Sequence, residues 1–312
     1  MIKMNVHESI LIDATPSKVF SVINDLHQWE AWSPWVIAEP DAAISVAKDG
    51  KYHEWEGEII GAGNLKIVHE VENELVEMNL NFLKPWKSKA TTTFELEETI
   101  KGTRVHWKME SSLPLFLFWM KKQMQIFVGM DYDRGLKLLK DLIEQGETRS
   151  QLIYQGEHAF KATQYIGIKT QCDTQDIGEN MERDFTALMA FVMTHCKAIM
   201  NGDALSIYHK FDVVRGKVVY TAAYPVSSIP ENLPENFVTG KIPDLTTYSI
   251  RHTGPYHHIA NAWAAGMMHQ RGKQFKPSRA FPPFEVMRNS PTNTPENELI
   301  SDILFPCLCI LE

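Results

Sequence analysis

Catalytic motifs are scarce in this sequence, and the groups able to do chemistry stand singly in apolar surroundings. No GxSxG elbow or Walker loop occurs, Gly61 and Gly63 lack the third glycine of a dinucleotide loop, and Ser45-Val46-Ala47-Lys48 matches SxxK over four letters only. Cys172, Cys196, Cys307 and Cys309 form no CxxC pair and read as buried thiols; Cys307 and Cys309 alternate along an expected strand and so share a face. His257 and His258 point about a hundred degrees apart on a helix, with no further ligand at a matching offset, so neither a metal nor a cofactor is expected. Two groups remain. Glu285 sits within Phe284-Glu285-Val286, and Tyr256 follows Gly254-Pro255 at a helix start, where free backbone N–H groups and a phenol can meet a polar ligand group. Taken alone, a strand glutamate reads as a solvated or ion-paired group and the Tyr256 ring as packing beneath its turn.

The elements that must position these groups divide the chain in two. Val6 to Ile12 reads as a strand, Thr15-Pro16 as a helix cap and first-turn proline, and Val19, Val22, Ile23 and Leu26 as that helix's apolar stripe. From Tyr52 to Met109 apolar and polar residues alternate in segments separated by short polar breaks, the pattern of an antiparallel meander. After Pro114 the period lengthens: Met124, Val128, Tyr132, Gly135, Leu139 and Leu142 fall on one stripe of a long helix that Gly146 stops. The polar run from Gln145 to Ser150 is then a linker, giving domains 1–147 and 148–312.

The second half holds an internal repeat. A strand near Lys161 to Lys169, a helix from about Glu179 to Ile199, and strands Ala204 to Val213 and Lys217 to Val226 are followed by strand Leu245 to His252, helix Tyr256 to Arg271, and strands Phe284 to Arg288 and Leu299 to Cys307. The last strand of each unit ends alike, in Tyr224-Pro225-Val226 and Phe305-Pro306-Cys307. Two strand-helix-strand-strand units about a pseudo-twofold axis leave a groove at their junction. The fold class is therefore α+β: an antiparallel sheet gripping a long helix, then a duplicated domain.

The Thr15-Pro16-Ser17-Lys18-Val19-Phe20 helix start, the segment Trp29-Glu30-Ala31-Trp32-Ser33-Pro34-Trp35 and the closing helix resemble the polyketide-cyclase-like branch of the START-like (SRPBCC) superfamily over about residues 4 to 145. That resemblance implies a helix-grip fold with a deep hydrophobic pocket. Trp29, Trp32 and Trp35 read either as its aromatic mouth or as core and rim packing. Leu115 to Met120, with Trp119, reads either as a lid or as the first turn of a buried helix; Trp35 and Trp119 are the candidates for this pocket.

His252-Thr253-Gly254-Pro255-Tyr256, Pro283-Phe284-Glu285-Val286 and Phe305-Pro306-Cys307 resemble the GyrI-like effector-binding domains of multidrug-sensing and AraC-type regulators over about residues 150 to 312. The resemblance implies a groove for organic molecules, often cations with aromatic rings, with Glu285 at its floor and Tyr256, Trp263, Met287 and Tyr208 beside it. Ser206 takes the matching place in the first unit. Those domains commonly carry a tyrosine two residues after the glutamate, and Met287 removes that hydroxyl here.

Composition bounds the remainder. The chain has 312 residues, 44% of them hydrophobic, and a formal net charge of -8. It lacks the Lys/Arg cluster that a nucleic-acid reader needs and any helix-turn-helix segment, so no direct nucleic-acid partner is expected. The most apolar stretch, Leu113 to Met120, is too short to span a bilayer, and no signal-peptide core opens the chain; a cytoplasmic location follows as the expectation. The expected function is a small-molecule binding protein or sensor accessory that takes apolar or cationic organic ligands and acts with a second copy or a partner regulator. One alternative is a hydrolase of strained electrophiles, with Glu285 as general base and Tyr256 as supporting donor; the other is a hydrophobe carrier working through the first domain.

Overall fold

A computed structural model describes residues 1–308. Cys309 lies outside the described residues. The chain divides into two compact units, 1–150 and 151–312.

The first unit begins with strand β1 (Ile2–Ile12), whose alternating residues Met4 and Val6 enter the core. Helix α1 (Pro16–Ile23) starts as its sequence dictates, with Pro16 in the first turn and the Thr15 hydroxyl accepting from the Lys18 N–H at 3.4 Å. The one-turn helix α2 (Trp29–Trp32) follows, then strands β2 (Ala43–Val46), β3 (Tyr52–Glu56), β4 (Ala62–Val71), β5 (Leu75–Lys84), β6 (Ser88–Thr99) and β7 (Gly102–Leu113). They form one seven-stranded antiparallel sheet in the order β1-β7-β6-β5-β4-β3-β2. A 3-10 segment (Leu115–Met120) leads into helix α3 (Lys121–Gln145), which Gly146 ends in the left-handed conformation at φ 85°.

Large rings fill the space between sheet and helices. Trp107 of β7 stacks on Tyr132 of α3 at 3.8 Å and 11°, Phe94 stacks on Trp107 at 4.8 Å and 29°, and Trp29 and Trp32 close on it edge-first. A polar thread runs through them: the Trp107 indole donates to Thr92 Oγ1 at 2.7 Å, which also lies 3.1 Å from the Tyr132 hydroxyl. The interior where the sequence places a ligand pocket is thus packed by ring on ring. Alternation along a strand states which side chains point inward, and their volume here is enough to meet the helix.

The second unit comprises strands β8 (Gln151–Phe160) and β9 (Thr163–Asp173), helix α4 (Ile177–Phe191), strands β10 (Ala204–Asp212), β11 (Lys217–Val226), β12 (Phe237–Ile242) and β13 (Leu245–Thr253), helix α5 (Ala260–Arg271), and strands β14 (Lys276–Pro277), β15 (Phe284–Met287) and β16 (Ile300–Leu308). The sheet order β12-β9-β11-β10-β15-β16-β13-β8 makes the duplication visible. The triplet β9-β11-β10 mirrors β13-β16-β15 about the central β10–β15 pair, where Ser206 stands opposite Glu285. β8 and β12 are additional edge strands. One sheet face packs Leu205, Ile207, Phe284 and Val286 into a core, and by alternation Ser206 and Glu285 point to the other.

Candidate functional site

Glu285 is a buried carboxylate on the central strand pair of the second unit, 2% exposed on the second residue of β15. Its Oε1 accepts the indole N–H of Trp263 from α5 at 2.5 Å and the hydroxyl of Tyr208 from β10 at 3.0 Å. Both donors are neutral, and among the described residues no cation pairs with the carboxylate. Burial pushes the Glu285 carboxyl up from its ordinary 4.5 to about 7, against the two hydrogen bonds that pull it down. The same burial, followed by the neighbouring Glu285 charge, holds the Tyr208 phenol well above its usual value, so this hydroxyl remains a donor.

The walls are aromatic. Tyr208 meets Trp263 edge-on at 4.9 Å and 73°, and Phe305 backs Trp263 at 5.4 Å and 75°. Phe305 fits only because α5 carries Gly266 beneath it: a Cβ there would lie 2.2 Å from the ring. Tyr256, in the 3-10 turn before α5, has its phenol raised to about 12 by burial, then by the Glu285 charge and by Tyr224. It therefore lies within electrostatic reach of the carboxylate. Met287 is half-buried and, two residues on, shares the strand face of Glu285.

Five of the seven residues singled out from sequence thus gather in one region: Glu285, Tyr208 and Trp263 by direct contact, Tyr256 through its electrostatic coupling, Met287 by strand position. A hydroxyl reaches the carboxylate from another strand. With Ser206 opposite Glu285, the pseudo-twofold axis relates Tyr208 to Met287, and Tyr208 reaches the carboxylate from the other half of the domain. Phe305 belongs to the Phe305-Pro306-Cys307 motif without being a groove candidate, and Gly266 is marked in the sequence only by the run of small residues in Ala262-Trp263-Ala264-Ala265-Gly266.

The two residues placed at the first pocket do not come together. Trp35 is half-buried, its indole donating to Asp131 Oδ2 at 3.1 Å while Asp131 Oδ1 takes the Arg134 guanidinium at 2.6 Å. Trp119 stands 66% exposed, and no ring contact joins the two among the described residues. Trp29 and Trp32 are core. In the same unit, His53 on β3 is 1% exposed with neither ring nitrogen hydrogen-bonded, and burial lowers it to about 4.

Comparison with known proteins finds one family match in each unit. Residues 3–144 match the family described as polyketide cyclase / dehydrase and lipid transport, and residues 159–308 match the GyrI-like small molecule binding domain. Among solved structures, MLL2253 from Mesorhizobium loti is similar at 15% identity and a TM-score of 0.36, covering 46% of this chain and 98% of its own. The EcmrR C-terminal domain is similar at 15% and 0.40, covering 51% and 98%. SAV2435, solved bound to tetraphenylphosphonium, is similar at 15% and 0.39, covering 51% and 95%. No curated protein matches the chain. No helix among the described residues is long and apolar enough to cross a membrane.

Proposed function

We propose that this chain, a polyketide cyclase-type domain followed by a GyrI-like small-molecule binding domain, is a binding protein whose second domain takes organic cations carrying aromatic rings. The observation that carries this reading is Glu285, a carboxylate 2% exposed, in contact with Tyr208 and Trp263, within electrostatic reach of Tyr256, and served by two neutral donors. An ionised group so placed has lost hydration that hydrogen bonds restore only in part, and a cation entering beside it restores the remainder. The rings add cation–π attraction of roughly 0.5 to 2 kcal/mol. With its carboxyl near 7, Glu285 is partly protonated in neutral solution, so cation binding releases a proton and weakens as the medium becomes more acidic.

Methyltriphenylphosphonium and the neutral triphenylphosphine oxide make a matched pair of probes, because they share three phenyl rings and differ in charge. Glu285→Gln keeps shape and an acceptor oxygen while removing the charge. It should cost the phosphonium roughly 1.5 to 3 kcal/mol in calorimetry and leave the oxide nearly unchanged. Equal losses for both ligands, or an unfolded variant, sink the assignment and make Glu285 a structural residue.

A further inference from the structure

One end of the first sheet carries a surface that neither the interior nor the Glu285 region explains. The β5–β6 turn closes on the pair Phe82–Ser88, and Ala90 of β6 stands opposite Ser111 of β7, two residues before β7 ends at Leu113. The register therefore sets the turn 83–87 and the segment 115–120 at the same end of the sheet. Both bare large apolar side chains: Leu83 and Trp86 are 48% and 66% exposed, and Leu115, Phe116, Phe118 and Trp119 are 69%, 75%, 68% and 66% exposed. Apolar side chains gathered in this way on a soluble surface mark an interaction site.

The charge around them bears on the kind of partner. Residues 83–89 and 115–122, two segments apart in the sequence, hold the five lysines Lys84, Lys87, Lys89, Lys121 and Lys122 and no carboxylate, in a chain whose net charge is -8; the carboxylates Glu54 and Glu56 border the patch on its Leu83 side. Of these, only Lys84 has an ion-pair partner among the described residues, Glu56 at 2.5 Å. An open groove of about 290 Å³ adjoins the turn, lined by Asn64, Asn81, Leu83, Lys87, Ser88 and Lys89. Its donors and cations suit a phosphate-bearing headgroup. Self-association through the patch would set like charges against each other, whereas an anionic lipid surface satisfies both parts at once. Tryptophan and phenylalanine enter the interfacial layer, and lysines lie over the headgroups.

We propose that this end of the first sheet docks peripherally on an anionic lipid surface. The test uses the full chain with vesicles of phosphatidylcholine containing about 30% phosphatidylglycerol, set against pure phosphatidylcholine. Sedimentation should show association at least about tenfold stronger with the anionic vesicles, and brominated acyl chains should quench the exposed Trp86 and Trp119. Phe118→Glu with Trp119→Glu should weaken association about tenfold or more, and so should Lys87→Gln with Lys89→Gln, at roughly fivefold per lysine. All four side chains lie at the surface, so circular dichroism of both variants should match the parent. Failure to associate with anionic vesicles at low salt, or undiminished association in both variants, overturns the proposal. So does a parent dimer that the first variant converts to monomer while vesicle association is unchanged, since the patch is then a contact between copies.

Discussion

Glu285→Gln should change stability in a way that depends on pH, with a sign opposite to that of an ordinary buried ion pair. The Glu285 carboxyl titrates near 7 in the folded protein and near 4.5 in the unfolded chain. Between those values the folded state holds a proton that the unfolded chain has released. The stability this proton supplies is present in full below about 4.5 and is lost as pH rises through about 7. At about 1.4 kcal/mol per pH unit across that interval, the ionised carboxylate costs the free protein about 3 kcal/mol at pH 8. Glutamine mimics the protonated form, and its carbonyl oxygen still accepts from Trp263 and Tyr208. The variant should therefore match the parent near pH 4.5 and exceed it by about 2 to 3 kcal/mol at pH 8. Urea unfolding of both proteins at four or five pH values reads the difference directly, because every other titration cancels. A difference that stays flat from pH 4.5 to 8 refutes the argument, as does a variant that is less stable at pH 8.

Two further outcomes are expected. His53 is lowered to about 4 by burial, so the first domain loses stability as pH falls from about 6.5 towards 4; His53→Leu should remove about 2 kcal/mol of that loss at pH 5 while changing little with pH above 7, and an unchanged acid sensitivity in thermal unfolding tells against it. Fragments divided between Ser150 and Gln151 should each unfold in a single cooperative transition by calorimetry, and halves that are soluble only when mixed would show that the two units require each other.

The sequence carried the fold where local chemistry leaves a mark. Thr15-Pro16 and Gly146 set helix ends that the structure reproduces, and the matched Tyr224-Pro225-Val226 and Phe305-Pro306-Cys307 endings fall on β11 and β16, equivalent strands of the two repeats. β2, β8 and β12 left weaker marks because each lies at a sheet edge with one neighbour and buries little. The packing of the first interior was legible only in part: core packing of Trp29 and Trp32 was one of two readings, and the stack they close on was not foreseen. That Trp107 and Tyr132 stack face to face depends on how far α3 stands from β7, and their positions lie far apart in the chain. Periodicity gives the direction of a side chain and says nothing of the volume facing it.

The asymmetry of the second domain follows from its symmetry. Ser206 and Glu285 face each other across the central strand pair, with Cβ atoms about 5 Å apart in such a pairing. Were glutamate at both places, two carboxylates would share one buried floor and could not both ionise near neutral pH. Serine on one strand removes the repulsion and leaves a single charge. The phenol is distributed in the complementary way: Tyr208 lies on the strand that lacks the carboxylate, and Met287 on the strand that has it. Carboxylate and hydroxyl thus come from opposite repeats and meet at 3.0 Å, so each repeat alone holds half of the arrangement. Trp263, from the second repeat's helix, completes the set of donors to Glu285. If the proposed cation site holds, one buried charge served by both halves sets one cation per domain, and its recognition depends on the correct docking of the two repeats.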